Sequence, residues 1–244
     1  MKQHEAVIQA MKRNGGYATL GHLYQNVLKI PDCKWGTKTP FASIRRIVQT
    51  YPDFFKIRPG LWALTSERDK VLNKLAIAET IPDSKVLEFD HSYYQGLVVE
   101  IGNLRGYETF VPNQDKNKPF LNKKLSDLSS LGKYYDFTYE HLIRRSRTVD
   151  VTWFNDRKFP KAFFEIEHST DIQNSLLKFL EFQDFRIGFY IIADKVRYAE
   201  FKNKLAFSAF APIKPEVRFI SYESMAELHA KTSANVAAQS LAGL

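Results

Sequence analysis

Three acidic side chains fall on two neighbouring apolar segments, at positions that would bring them together. Asp150 lies within residues 148–154, and Glu165 and Glu167 lie near the end of residues 161–167. Strand side chains alternate between faces, so Glu165 and Glu167 are expected on the same face. If the two segments pair as a hairpin, Asp150 comes alongside Glu165. Three such carboxylates would repel one another at a cost of several kcal/mol. A divalent cation such as Mg2+ would remove this conflict.

The same pattern of acids also occurs on strands that face solvent and pair with nearby lysines. Here both segments are otherwise strongly apolar, which favours a metal site over a solvated face. A Mg2+ ion at this place could polarise a phosphate and help to deprotonate an attacking water. Glu100, on an earlier amphipathic segment, is a further candidate metal ligand.

The segments around these acids alternate between helix and strand. An almost wholly apolar run at residues 186–193 indicates a strand that is buried on both faces. The order α, β, β, β, α, β, α, β predicts an α/β fold, with a mixed sheet flanked by helices. The predicted elements are a helix at 92–105, strands at 107–111, 148–154 and 161–167, a helix at 171–182, a strand at 186–193, a helix at 196–205 and a strand at 217–221, with a short helix near 123–131.

In this order of elements, the arrangement of Asp150 with Glu165-Ile166-Glu167 resembles the PD-(D/E)xK superfamily, which has the restriction-endonuclease-like fold. The resemblance spans roughly residues 92–222. It implies a Mg2+-dependent nuclease in which Asp150 and Glu165 bind the metal.

The third motif position departs from the family pattern, because lysine is usual there and this chain has Glu167. Glu167 could act as a general base or as a ligand of a second metal. Lys178, on the following helix, could reach back to stabilise the charge that develops on the phosphate. The alternative is that Lys178 is an ordinary solvated lysine.

Basic residues are concentrated in two stretches of a chain whose net charge is +8. Residues 1–68 contain 11 Lys and Arg against 4 Asp and Glu, and residues 116–161 contain 11 against 5. The second stretch includes Arg144 and Arg145, just before the Asp150 segment. Basic residues beside an acidic centre could hold a nucleic-acid backbone. They could also form only a basic surface.

The N-terminal residues predict an α+β winged helix. Helical patterns at 4–14, 20–28 and 39–51 precede two short apolar strands, which are joined by a Pro-Gly turn. A helix of this kind can enter the major groove of double-stranded DNA. Base-reading candidates on the third helix are Ser43, Arg45, Arg46 and Gln49, and the phosphate-contacting candidates are Lys56 and Arg58. The same residues could instead form a solvated face, and winged helices also serve as protein-docking modules.

This region resembles the HARE-type helix-turn-helix family. The resemblance is carried by residues 6–7, 15–16, 35–40 and 54–64, in that order along the chain. It implies a DNA-linked module that could sense modified bases.

These patterns divide the chain into a winged helix at 1–66, a helical linker at 67–90, a nuclease-like domain at 91–230 and a frayed tail at 231–244. A single cysteine, Cys33, cannot form an internal disulfide, which fits a reducing cytoplasm. No apolar run approaches the roughly 20 residues that would cross a membrane.

The leading hypothesis is a Mg2+-dependent endonuclease that cuts double-stranded DNA in restriction or phage defence. Cutting both strands needs two centres, which a homodimer would supply. The alternative is a non-catalytic DNA-binding regulator with a degenerate nuclease fold, and Glu167 is the residue that keeps this alternative open. A third hypothesis is a protein-interaction module built on the winged helix.

Overall fold

A computed structural model describes residues 1–243 and divides them into two compact units. The first unit comprises Met1–Val86 together with the C-terminal residues from Ala226 onward, and the second comprises Leu87–Met225. Among the described residues, no helix is both long and apolar enough to span a bilayer.

The first unit combines helices with a small antiparallel sheet, whose strand order is β1-β3-β2. The expected three helices and hairpin are present, and β1 was not predicted. Gly60 turns the hairpin with a positive φ of 77° that suits glycine. The elements are α1 (Gln3–Arg13), β1 (Tyr17–Thr19), α2 (Leu20–Asn26), α3 (Pro40–Thr50), β2 (Phe54–Arg58), β3 (Leu61–Leu64) and α4 (Arg68–Lys74).

Helix α3 forms because its apolar residues recur at helical spacing and Pro40 occupies its first turn. Ile44, Ile47 and Val48 are buried in the core of the first unit. Thr39 precedes the helix as expected, but its side chain makes no capping hydrogen bond.

The second unit is an α/β domain built around a five-stranded mixed sheet, so the predicted fold class of this region is confirmed. Its elements are α5 (Asp83–Leu104), which begins in the first unit, β4 (Glu108–Phe110), β5 (Pro119–Phe120), β6 (Lys123–Lys124), α6 (Leu125–Leu128), α7 (Glu140–Ser146), β7 (Val151–Phe154), β8 (Pro160–Glu167), α8 (Ile172–Leu180), β9 (Gly188–Ala193), α9 (Tyr198–Leu205) and β10 (Val217–Ser221). Short 3-10 turns occupy Val27–Lys29, Thr65–Glu67, Lys195–Arg197 and Ser208–Phe210.

The five-stranded sheet has the order β10-β9-β8-β7-β4. Strands β8, β9 and β10 are parallel, and β7 is antiparallel to both of its neighbours. Helix α8 connects β8 to β9 and α9 connects β9 to β10, as parallel pairing requires. The helices bury Phe179, Leu176 and Phe201 with the apolar face of the sheet. The hairpin β7–β8 therefore lies inside the sheet, where its register is fixed.

Helix α10 (Tyr222–Leu241) replaces the frayed tail that the sequence predicted from Lys231. Ala230 lies in the core of the first unit with residues of α1, α2 and α3, and Ser233 is also buried. A Cβ on Gly21 would lie within 2.6 Å of His229 and Ser233. Small residues that look tail-like in sequence thus allow close helix packing. The predicted nuclease boundary at 230 is wrong, because the first unit resumes at Ala226.

The predicted helical linker at 67–90 contains the boundary between the two units, which falls after Val86. Helix α4 covers Arg68–Lys74, and α5 begins at Asp83, well before the helix that was expected from residue 92. The amphipathic pattern is weak in the first turns of α5, which are largely exposed, so hydrophobic spacing alone did not mark its start.

Substitution of Gly96 by alanine is expected to destabilise the second unit. Gly96 lies on α5, and an added Cβ would overlap the buried ring of Phe120. Overpacking of this kind costs about 1–3 kcal/mol. We expect Gly96→Ala to lower the free energy of unfolding by about 2 kcal/mol, as measured by urea denaturation. The matched control is Gly132→Ala, whose added Cβ meets no described atom within 4 Å. Equal stability of the two variants would contradict this packing.

Candidate active site

Asp150 lies directly before β7, at the place where the hairpin with β8 brings it opposite Glu165. Val151 pairs with Phe164 in this antiparallel register. The residue before Val151 and the residue after Phe164, which are Asp150 and Glu165, therefore lie opposite each other. The Oδ2 atom of Asp150 accepts a hydrogen bond of 2.8 Å from the backbone N–H of Ile166. The hairpin that the sequence predicted is therefore present, and it brings the two acids together.

Glu165 and Glu167 lie on one face of β8, as the alternation of strand side chains predicted. Ser175 of α8 donates its hydroxyl to Glu165 Oε2 at 3.3 Å and also to Glu167 Oε1. Thr170 donates a second hydrogen bond to Glu167. Both glutamates are buried, with only 5% and 4% of their surface exposed.

Lys178 on α8 reaches back to the acidic cluster. Its Nζ lies 2.6 Å from Glu165 Oε1 and donates a hydrogen bond of 3.0 Å to the carbonyl of Thr148. Only 15% of its side chain is exposed. The alternative of an ordinary solvated lysine is therefore wrong. The ammonium of Lys178 lies beside Glu165, one of the hairpin acids.

Helix α5 adds two side chains that sequence reasoning missed. The Nε2 atom of His91 lies 3.6 Å from Asp150 Oδ1. One turn further, Gln95 donates from Nε2 to the carbonyl of Asp150 at 2.7 Å and to Asp115 Oδ2 at 3.0 Å. Asp115 is 1% exposed and forms an ion pair of 2.6 Å with Lys118. His91, Asp115 and Asp150 each offer a ligand atom within 4.8 Å of the others.

The predicted metal ligand Glu100 does not join this group. It lies nine positions after His91, about two and a half turns along α5, and so on the opposite side of the helix. His91 was missed because it precedes the helix that the sequence predicted from residue 92. The only signal available was its spacing of four residues from Gln95. Asp115 lies in an irregular segment that carries no periodic pattern.

Burial and the charges of neighbouring groups control the ionisation of these acids. Burial and the negative charge of Asp150 raise the pKa of Glu165 to about 8, against the opposing effect of Lys178. Burial also raises the pKa of Glu167, although Ser175 and Thr170 oppose it. Burial disfavours the charged form of Asp150 too, but His91 and the N–H of Ile166 outweigh it and lower the pKa.

The donor set fits a divalent cation. Asp150 and Glu165 present carboxylate oxygens of the kind that Mg2+ prefers, and burial together with the negative charge of Asp150 leaves Glu165 short of positive charge. Lys178 offsets only part of that deficit, since the pKa of Glu165 stays raised. Asp150 and Glu165 are therefore the residues that could hold Mg2+.

The candidate base-reading residues of α3 differ in their exposure. Arg46 and Gln49 are exposed and Ser43 is half-buried. Arg45 is half-buried, and its guanidinium forms two hydrogen bonds, of 3.0 and 2.6 Å, with the carboxylate of Glu227 on α10. Arg45 therefore has an ion-pair partner on a helix that was not predicted, and its contact with DNA stays a prediction.

The remaining predicted DNA-contacting residues lie at or near the surface of their units. Lys56 is exposed on β2, and Arg58 is half-buried and donates to the carbonyl of Ile57. Arg144 and Arg145 on α7 pair with Glu140 at 3.7 Å and with Glu181 at 2.9 Å. Exposed pairs of this type contribute at most about 1 kcal/mol, so they can exchange for phosphate.

Without metal, Glu165 is expected to make the protein less stable as the pH rises. Its pKa is about 8 in the folded state, well above the ordinary value of 4.5 for a glutamate, so the folded state holds the proton more tightly. This contribution is fully present below pH 4.5 and is lost as the pH rises to about 8. Urea denaturation in EDTA should show that Glu165→Gln removes this dependence.

The exposed acid Glu140 provides the control, because Glu140→Gln should keep the wild-type pH dependence. Identical pH profiles for the wild type and Glu165→Gln would show that Glu165 is ionised normally.

Comparison with known families gives one match. The model of the type II restriction enzyme NmeDI C-terminal domain matches residues 71–241, which is more than half of the chain and includes the whole second unit. Searches of curated proteins and of solved structures gave no match. The chain therefore belongs to the family of type II restriction enzyme NmeDI C-terminal domains.

Proposed function

We propose that this protein is a Mg2+-dependent endonuclease that hydrolyses phosphodiester bonds of double-stranded DNA in restriction or phage defence. Membership of a restriction-enzyme family supports the reaction class. The observation that carries the proposal is the convergence of Asp150, Glu165 and Lys178 at one end of a buried hairpin.

Asp150 and Glu165 would hold the cation, because they supply adjacent carboxylate oxygens on paired strands. A bound Mg2+ ion supplies Lewis acidity that polarises a phosphate. Lys178 holds Glu165 in position and places its ammonium where negative charge on the phosphate would develop. The ammonium thus comes from α8 and not from the strand position that Glu167 occupies.

Glu167 would accept the proton of the attacking water. Burial raises its pKa, which makes the carboxylate a stronger base. The hydroxyls of Ser175 and Thr170 fix its orientation while leaving lone pairs on both oxygens. With Lys178 at Glu165, the glutamate at this position is compatible with activity, which favours the enzyme over the non-catalytic regulator.

The first unit would bind DNA as a winged helix. Its helices and hairpin match the arrangement in which one helix enters the major groove and the hairpin contacts the backbone. Arg46 and Gln49 would face the bases, and Lys56 would contact phosphate. A modified base is a candidate target, because the HARE-type resemblance implies that class of substrate.

Loss of either hairpin acid is expected to abolish cleavage. In a plasmid assay with Mg2+, using unmodified and modified DNA, Asp150→Ala and Glu165→Ala should each reduce the cleavage rate by at least about a thousandfold, since a metal ligand contributes several kcal/mol to transition-state stabilisation. The control is Asp156→Asn, an exposed acid in the turn of the same hairpin. It should cut at the wild-type rate.

Two results would count against the enzyme. Metal-dependent cutting that survives both substitutions would remove the assigned site. Salt-sensitive DNA binding without cutting of any substrate would favour the regulator.

Lys56→Ala is expected to weaken DNA binding about equally for all sequences. Removing one phosphate contact should reduce the slope of log affinity against log salt by about 0.9. Fluorescence anisotropy over a range of salt concentrations measures this slope. Lys12→Ala, an exposed lysine of α1 in the same unit, should leave it unchanged. Parallel slopes for Lys56→Ala and the wild type would exclude contact of β2 with the backbone.

A further inference from the structure

A cavity of about 620 Å³ lies in the second unit, at the end of the sheet away from the acids. It is formed where the turn between β7 and β8 meets the segment between α8 and β9. Lys161 lines the cavity, and Glu165 follows four residues later on the same strand. At about 3.3 Å per residue these two residues are separated by about 13 Å. The cavity is therefore a separate place from the candidate active site.

The rim of the cavity is basic. Arg157, Lys161 and Arg186 line it, and all three are exposed. Among the described residues, none of their charged groups forms a hydrogen bond or an ion pair, and no acidic side chain lines the cavity. Arg144 and Arg145 of the same unit, by contrast, pair with acids. Three unpaired positive charges around one concavity attract an anion.

The interior of the cavity is apolar. Pro160 and Ile187 are buried residues that line it, and Phe185 is half-buried beside them. The ring of Phe159 also lines the cavity and is 47% exposed. A volume of this size falls within the range of about 300–1,000 Å³ that is typical of small-molecule sites. The cavity thus combines an aromatic face with a charged rim.

The turn between β7 and β8 fixes the position of Phe159. The side-chain oxygen of Asn155 accepts hydrogen bonds from the backbone N–H of Arg157 at 3.0 Å and of Phe159 at 3.1 Å. The N–H of Asn155 donates in turn to the carbonyl of Phe159 at 3.0 Å. A ring that is held in place before binding loses little conformational entropy when a ligand stacks on it.

We infer that this cavity binds a nucleotide, with the base stacked on Phe159 and the phosphates held by Arg157, Lys161 and Arg186. Guanidinium groups bind phosphate through charge-assisted hydrogen bonds, and a base stacks on an aromatic ring whatever its sequence. An isolated ring in a concave site suits an unpaired base, because the bases of a duplex are already stacked on one another. The inference goes beyond the proposed function, since nothing in the cleavage reaction requires this site.

Two sources could supply a phosphate with an unpaired base. One is a free nucleotide, and the other is the phosphorylated end of a single DNA strand. Both present the same chemistry to the cavity. Competition between them in solution distinguishes the two sources.

The test is isothermal titration calorimetry of the full chain with adenosine 5′-triphosphate in EDTA, which excludes binding through a divalent ion. The wild type binds the nucleotide at one saturable site. Phe159→Ala lowers the affinity by about tenfold through loss of stacking. Lys161→Met also lowers it by about tenfold through loss of a charge-assisted contact. Circular dichroism confirms that each variant is folded.

The controls are Phe207→Ala and Lys195→Met, which change exposed residues of the same types outside the cavity. Both keep the wild-type affinity. Absence of saturable binding to the wild type overturns the inference, as does an equal loss of affinity in the cavity variants and their controls. Neither result affects the proposed function, because the titration involves no cleavage.

A second titration identifies the source of the nucleotide. The protein is saturated with a 5′-phosphorylated oligothymidylate before the nucleotide is added. Loss of nucleotide binding, which an oligothymidylate without the 5′ phosphate does not cause, shows that the cavity takes the end of a strand. Unchanged nucleotide binding shows that it takes the free nucleotide.

Discussion

Repulsion between the carboxylates of Asp150 and Glu165 is the constraint around which the second unit is organised. Both acids are shielded from water and face each other across a strand pair, and burial together with the negative charge of Asp150 makes Glu165 harder to ionise. The N–H of Ile166 and the ammonium of Lys178 offset part of this cost. Such an arrangement is stable only in a rigid framework. The central position of β7 and β8 in the sheet provides one.

Helix α8 supplies the hydroxyl and the ammonium that contact the carboxylates of β8. Ser175 and Lys178 are three residues apart, so they lie on the same face of the helix and both reach the acids of β8. An ammonium at Glu165 has the same electrostatic effect whether its side chain starts on a strand or on a helix. The chain can therefore have glutamate at residue 167 without losing positive charge beside Glu165.

Charge also organises the first unit, where the C-terminal helix takes part. Glu227 on α10 holds Arg45 through two parallel hydrogen bonds, a geometry that only arginine provides. This pair fixes one arginine of α3 and leaves its neighbour Arg46 exposed. Adjacent arginines on one helix thus have different roles, one in joining two helices and one on the surface.

The sequence by itself determined the elements with strong periodicity, including α3, the two hairpins and β9, and it identified the acids Asp150, Glu165 and Glu167. Local pattern was sufficient there because hydrophobic alternation fixes both the strand and the face of each acid. Only the tertiary structure decided that α10 returns to the first unit and that Glu227 pairs with Arg45. It also decided that His91 and Asp115 lie close to Asp150. These contacts join residues far apart in the chain, and their positions follow from packing, which short-range spacing does not encode.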